Sequence, residues 1–261
     1  MDPLATADIA LVRADNPGPF TLEGTNSWLV GRGPCWVVDP GPALDGHLDR
    51  LAADARARGG VAGIALTHGH ADHTDGVAGL LERVGDVPVA AAAWEGATVR
   101  LADGDAFGPL QAIAAPGHAP DHLAFLSGRA LFSGDAVLGH GSVYVAPDPG
   151  ALRGYLAALD RLLALDLDVI CPGHGPLITE PAAKLAQYRD HRLDRERRLV
   201  AALGDGLRTQ DELLGRVWSD VPSVLRPAAA VTLAAHLDKL EEEGRLPEGV
   251  DRGPLPRYGA V

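Results

Sequence analysis

Short apolar runs broken by Gly- and Pro-rich turns fill the first two thirds of the chain. Residues 27–30 and 35–38 are β-prone and flank Gly31-Arg32-Gly33-Pro34, which is the pattern of a hairpin. The second run ends in Asp39-Pro40-Gly41, which stops the strand and leaves a carboxylate at its tip. Residues 44–58 then place apolar side chains at helical spacing, Gly59-Gly60 ends that helix, and residues 64–67 read as a buried strand. A further helix is expected to run to about Val84, with Thr74 as its N-cap.

The same alternation continues through β-prone pieces at 87–90, 112–115, 122–126, 130–132 and 168–171, with an amphipathic helix predicted over 152–165. From Pro181 the pattern turns helical. Residues 184–203 form a long Arg-rich helix, and 209–218 and 228–243 form two more; Thr209-Gln210-Asp211-Glu212 has the spacing of a capping box. The expected organisation is a mixed α/β layered domain over residues 1–180, a small helical domain over 185–246, and a Pro- and Gly-rich tail over 247–261.

Composition narrows the classes. At 46% hydrophobic and 22% charged residues, the chain has the make-up of an ordinary globular protein rather than a disordered or fibrous one. A net charge of −12 argues against broad attraction to polyanions, so a nucleic-acid partner would need a local basic patch. The two cysteines, Cys35 and Cys171, are far apart and outside any CxxC pair, which fits a reducing compartment. Met1-Asp2-Pro3 does not open a signal peptide, and no apolar run has the length of a bilayer span, so a cytoplasmic protein without a membrane partner is expected.

The strongest chemical signal is Thr67-His68-Gly69-His70-Ala71-Asp72-His73, which sets three imidazoles and a carboxylate within six residues directly after the predicted strand at 64–67. Imidazole nitrogen and carboxylate oxygen are the protein ligands of zinc, iron and manganese. Such a string arises by composition alone on the order of once in a thousand chains of this kind, so a metal site is the reading. Four more ligand-type segments each follow a β-prone run: Asp39 in VVDPG, His118 and His122 in PGHAPDH, Asp135 in FSGD, and His174 in CPGHG. The neighbouring Gly and Pro let the backbone turn sharply at a strand end and aim one side chain at a shared point. His47, His140, His191 and His236 lack that setting and are read as ordinary surface or core histidines.

This set of motifs resembles the metallo-β-lactamase fold superfamily, whose THxHxDH signature stands at residues 67–73 without departure, and the resemblance covers most of the chain. It implies an α/β (α+β) four-layer αβ/βα sandwich with a binuclear metal site at one edge of its two sheets. Carried over residue by residue, His68, His70 and His118 would hold one ion, Asp72, His73 and His174 the other, and Asp135 would bridge them. Asp39 would be a supporting carboxylate. Asp72 would also orient the nucleophile, and His122 would be either a proton donor or a packed neighbour. The implied cofactor is two divalent metal ions, zinc first, with iron or manganese also suited to these ligands. The implied activity is hydrolysis by a hydroxide held between them.

Within that superfamily the chain looks closest to β-lactamase-like hydrolases that include a single-strand endoribonuclease. The resemblance rests on NPGPFTLEGTNSWLVG at 16–31, FSGDAVLG at 132–139, CPGHGPLI at 171–178, YRDHRLDRERR at 188–198 and HLDKLEEEGRL at 236–246, the last read as part of a winged-helix-type domain. Two substrate classes follow. One is single-stranded RNA, with Arg189, Arg192, Arg195, Arg197 and Arg198 forming either a basic strip or a solvated face laced with Asp190, Asp194 and Glu196. The other is a small acyl substrate: a thioester of the glyoxalase II type, a lactone or a β-lactam. A redox role of the flavodiiron kind would need a flavin domain, for which the chain has no length left.

Overall fold

Two β-sheets stacked face to face carry the fold, and helices cover both outer faces. The computed structural model describes Leu4 and residues 8–254. The opening tripeptide read for targeting and the last seven residues of the expected tail therefore lie outside the described residues. The first sheet has β1 (Ile9–Arg13), β2 (Asn26–Val30), β3 (Cys35–Val38), β4 (Val61–Ala65), β5 (Val89–Ala91) and β6 (Val99–Arg100), in that spatial order. Its first three strands are antiparallel and the rest parallel. The second sheet has β7 (Ala106–Phe107), β8 (Leu110–Ala114), β9 (Leu123–Ser127), β10 (Ala130–Gly134) and β11 (Val169–Pro172), in the spatial order β11-β10-β9-β8-β7. Only its β10–β11 pairing is parallel.

Strand alternation divides the core into layers. Trp28, Val30, Val38 and Ala65 of the first sheet meet Ala112, Phe125, Phe132 and Cys171 of the second. Trp28 and Phe132 pack edge-on with ring centroids 6.1 Å apart. The opposite faces are equally dry. Leu29, Val37 and Ile64 pack under the helices α1 (Asp45–Ala57) and α3 (Gly76–Val84), which supply Leu48, Leu51 and Leu80. Leu131 and Ile170 pack under α4 (Ala151–Leu163), through Leu152, Tyr155 and Leu159. A strand covered on both faces reads as a continuous run, which is why every residue of β2 and β10 is buried. Burying one such Leu or Phe stabilises the fold by about 1.5–3 kcal/mol.

The helical region begins with α5 (Pro181–Gly204), a single helix that serves two cores. Its first half places Leu185 and Tyr188 against α4, and its second half places Leu199 and Leu203 with α6 (Gln210–Val217) and α7 (Arg226–Glu242). α6 starts at the expected capping box: Thr209 accepts from the Glu212 amide, and the Glu212 carboxylate accepts from the Thr209 amide at 3.0 Å.

One expected cap differs. Thr74 ends the one-turn helix α2 (Ala71–Thr74), and its hydroxyl donates to the His70 carbonyl at 3.0 Å, so it does not cap α3. The His-rich string supplies its own helical turn, which separates α3 from the strand. Strands β1, β6 and β7 were not expected; β6 and β7 have only two residues each, too short for alternation to register. Among the described residues no helix is long and apolar enough to cross a membrane.

Candidate metal centre

All seven residues expected to hold metal converge beyond the tips of β4, β10 and β11. His68, His70, Asp72 and His73 come from the loop after β4, His118 from the turn after β8, Asp135 from the turn after β10, and His174 from the turn after β11. His68 Nε2 lies 2.9 Å from His70 Nδ1, and His118 Nε2 lies 3.0 Å from the same nitrogen. His73 Nε2 is 3.3 Å from His174 Nε2, 3.5 Å from Asp72 Oδ2 and 3.6 Å from Asp135 Oδ1. Asp135 Oδ2 is 3.4 Å from His174 and 3.6 Å from His118, so this one carboxylate touches both halves of the cluster. Three sets have ligand atoms within 4.8 Å of one another and could hold an ion: His68-His70-His118, His68-His73-Asp135 and Asp72-His73-His174.

Hydrogen bonds on the far side of each ring fix which nitrogen faces inward. Asp39 has φ of 53°, a left-handed conformation that Asp tolerates and that turns its carboxylate back beneath the His-rich loop. There it accepts the Thr67 amide at 2.8 Å, the Thr67 hydroxyl at 2.7 Å and His73 Nδ1–H at 2.9 Å. Because the Thr67 hydroxyl spends its hydrogen on Asp39, it can only accept from His68 Nδ1, 3.0 Å away. His174 Nδ1 donates to the Gly24 carbonyl at 3.4 Å. Each of the three therefore turns an Nε2 lone pair to the centre, as a carboxylate- or carbonyl-oriented histidine ligand requires. Asn26 steadies the His174 loop by donating to Pro172 and Gly175 carbonyls at 3.0 and 2.9 Å.

Two glycines are obligatory here. A Cβ on Gly134, whose φ is +47°, would lie 2.6 Å from Thr67 Oγ1, and one on Gly173 would lie 2.5 Å from Asp135 Oδ1. Only a bare backbone lets these turns approach so closely.

The donor set suits a cation. Asp135 Oδ1 is buried without a hydrogen-bond partner. His70 Nδ1 faces two other ring nitrogens and could donate to only one of them, so lone pairs crowd where a cation would relieve them. Burial pushes His68 well below its ordinary range and His118 down to about 3, leaving both neutral and able to donate a lone pair. Burial also disfavours charge on His174, but Asp135 and the hydrogen bonds to Asp135 and Asp72 outweigh it and lift the ring to about 9. Burial opposes ionisation of Asp135 as well, yet His174 and His73 hold it well below the usual carboxylate range. The acidic side of the cluster thus demands positive charge, from protons or from metal.

His122, expected near the centre, is buried beside His68, and its Nε2 accepts the Asp135 amide at 3.1 Å. Ser133 donates to the Val137 carbonyl at 2.7 Å, and Cys171 is a buried thiol pushed up by desolvation; both sit in their turns as structural neighbours. A cavity of about 420 Å³ opens from the centre, with His118 and Asp135 in its wall. Most of the rest is apolar, including Phe20, Leu22, Val143, Trp218 and Val221. Tyr144 lines it with its ring centroid 4.6 Å from that of His118.

Of the two readings of the arginines, the solvated face laced with acids holds for Arg189, Arg197 and Arg198, and neither holds for the other two. Arg192 and Arg195 are 2% and 3% exposed and line the cavity instead. Arg189 pairs with Asp160 and Asp190, and Arg197 and Arg198 pair with Asp194. Spacing explains it: 188, 192, 195 and 199 fall on one face of α5, the face that the helix buries. His191, read as ordinary, also lines the cavity.

Two stacked sheets under helices, with an imidazole and carboxylate cluster at their strand tips, define a hydrolase fold that works with divalent metal ions. Comparison with known proteins agrees: the chain belongs to the metallo-beta-lactamase superfamily, whose pattern matches residues 20–112 and 95–174. A beta-lactamase associated winged helix domain matches residues 209–251. The chain is 32% identical to a Beta-lactamase-like protein 2 homolog of Caenorhabditis elegans, over 94% of this chain and 88% of that one. It is 35% identical to an Atrochrysone carboxyl ACP thioesterase of Aspergillus chevalieri, over 83% of this chain and 75% of the relative. A crystal structure of a metallo-beta-lactamase family protein from Thermus thermophilus superposes with a TM-score of 0.71 at 27% identity, covering 90% of this chain and 94% of that one.

Proposed function

We propose that this chain hydrolyses an acyl thioester or a related small acyl ester, with His68, His70 and His118 holding one divalent ion, Asp72, His73 and His174 a second, and Asp135 shared between them. The observation that carries the reading is the apolar cavity with His118 and Asp135 in its wall. Such a surface suits a hydrocarbon or aromatic acyl group, because desolvating it is favourable, whereas a polyanion would lose hydration without gaining charge partners. The likeness to a thioesterase supports the same choice. Single-stranded RNA fits less well, since the arginines that could have tracked a phosphate backbone are buried or paired with acids.

Divalent ions in such a site supply Lewis acidity, which polarises the scissile carbonyl and lowers the pKa of water towards neutrality. The chain's own residues do the rest. Asp72, whose Oδ2 sits 3.1 Å from His174 Nε2 and within 3.5 Å of the Thr25 hydroxyl, orients the attacking water by accepting its hydrogen bond. Asp39 and Thr67 hold the rings of His73 and His68 in one tautomer. His122 acts as a positioning residue: it holds the Asp135 turn through the backbone amide, and burial draws its pKa down to about 3, so it carries no proton to give at neutral pH. The apolar wall excludes bulk water from the acyl side.

The test is a panel of an aliphatic thioester, a lactone, a chromogenic β-lactam and a labelled single-stranded RNA, each with and without chelator. The proposal expects the thioester to be turned over fastest and the chelator to stop it. RNA cleavage alone, chelator-sensitive and with the thioester untouched, would replace this reading by phosphodiester hydrolysis.

A further inference from the structure

Every charged group lining the cavity has its charge balanced except one. Arg195 is bound by Asp220 through two 2.7 Å contacts, Asp135 faces His174 and His73, and His140 lies 3.7 Å from Glu23. His191 is kept neutral by burial and by its arginine neighbours, with a pKa of about 4. Arg192 forms no ion pair among the described residues. The residue is 2% exposed, its Nη2 donates to Ser142 Oγ at 2.9 Å and to the Val143 carbonyl, and its Nε has no hydrogen-bond partner. The aromatic side chains packed against it are neutral. Its carbon Cζ lies 5.6 Å from the centroid of Tyr155, whose hydroxyl burial holds protonated at about 12, and the nearby Tyr188 and His236 are held neutral by burial as well. Glu196, one turn along α5, is committed to Lys239 and Arg245.

A permanently charged guanidinium buried without a counter-charge is costly, and an anion in the cavity relieves that cost. We propose that Arg192 binds a carboxylate on the acyl portion of the substrate, so that the preferred substrates are thioesters of acyl groups carrying a distal carboxylate. This rests on the acyl-hydrolase reading above. One unpaired positive charge in a wall whose other charged groups are paired matches one monoanion, and the planar fork of an arginine suits a carboxylate. Arg192, His118 and Asp135 line one cavity, so a single molecule in it would place its carboxylate at Arg192 and its thioester at His118 and Asp135.

The experiment pairs substrates that differ only in that charge: N-acetylcysteamine thioesters of glutaric, adipic and suberic acid, each with its distal carboxylate free or methylated. In the native enzyme at least one free acid should show a KM at least about 30-fold below its methyl ester, the size expected of a buried charge partner. Arg192→Met should erase that gap, so that the free acid and its methyl ester are turned over with the same KM, and Arg192→Lys should keep part of it. No gap in the native enzyme, a gap that survives in Arg192→Met, or an equal loss for both substrates would overturn the assignment. The comparison within the native enzyme decides even where a variant fails to fold. In parallel, calorimetry follows binding of the monomethyl esters of the same diacids, which needs no turnover. If no thioester is hydrolysed yet these bind the native chain and not Arg192→Met, the acyl-hydrolase reading falls and the carboxylate site stands; if they bind neither, the site falls.

Discussion

Four of the seven clustered donors sit within six residues of one loop, whereas the wall of the adjoining cavity draws on residues from Pro19 to Thr232. The strand-tip centre is assembled from local strings, each a turn that must aim one side chain. The helical wall is assembled from faces, and a face depends on what a helix packs against. Metal-ligand-type donors are therefore concentrated in short motifs, while the cavity wall is spread over the packing of α5 and α7 on the sandwich.

That contrast predicts two kinds of mutational outcome. The largest effect belongs to the centre: Asp135→Ala should lower turnover on the order of 1,000-fold and reduce bound metal, since one carboxylate touches both halves of the cluster. Elemental analysis beside a rate assay checks it, and unchanged metal with unchanged turnover removes the sharing role. Next, Asp39→Asn should cost about 10- to 100-fold in metal affinity or activity, because His73 loses the carboxylate that fixes its tautomer. Neither change should alter discrimination between acyl groups.

Ion pairs and caps of the helical region should answer through stability instead. Asp220→Asn leaves the buried Arg195 without its acid and should destabilise by about 1 kcal/mol after allowance for the exposure of the Asp220 side chain. The Arg195 hydrogen bond depresses the Asp220 pKa from 3.8 to about 2. Its stabilisation is thus complete above the unfolded value and lost as pH falls towards 2, so the gap between native and variant in denaturant unfolding should narrow below about pH 4. The smallest effect is Thr209→Ala, which removes an exposed cap and should cost about 0.5 kcal/mol with no change in metal content.

How much the sequence revealed follows the same division. The HxHxDH string, Asp135 and His174 were legible because Gly and Pro mark the turns that carry them; Asp39 was legible the same way as a ligand-type residue at a strand tip, and its supporting role only through the family resemblance. The role of Thr67, which links Asp39 to His68, needed coordinates, since a hydroxyl shows its partner only in three dimensions. The arginines of α5 were legible as a cluster but not in direction. Arg192 and Arg195 lie in the stripe of Tyr188 and Leu199, and a helix serving two cores buries charge that a surface helix would solvate. His191 became notable only when α7 and Trp218 closed the cavity around it.

The claim beneath all of this is that imidazoles and acids from four separate turns meet around metal ions that drive hydrolysis. Its most direct test is elemental analysis of the purified full chain together with its thioesterase rate before and after chelation. The account predicts about two divalent ions per chain, and loss and recovery of the rate as those ions are removed and restored. A metal-free chain that hydrolyses its substrate undiminished would contradict it.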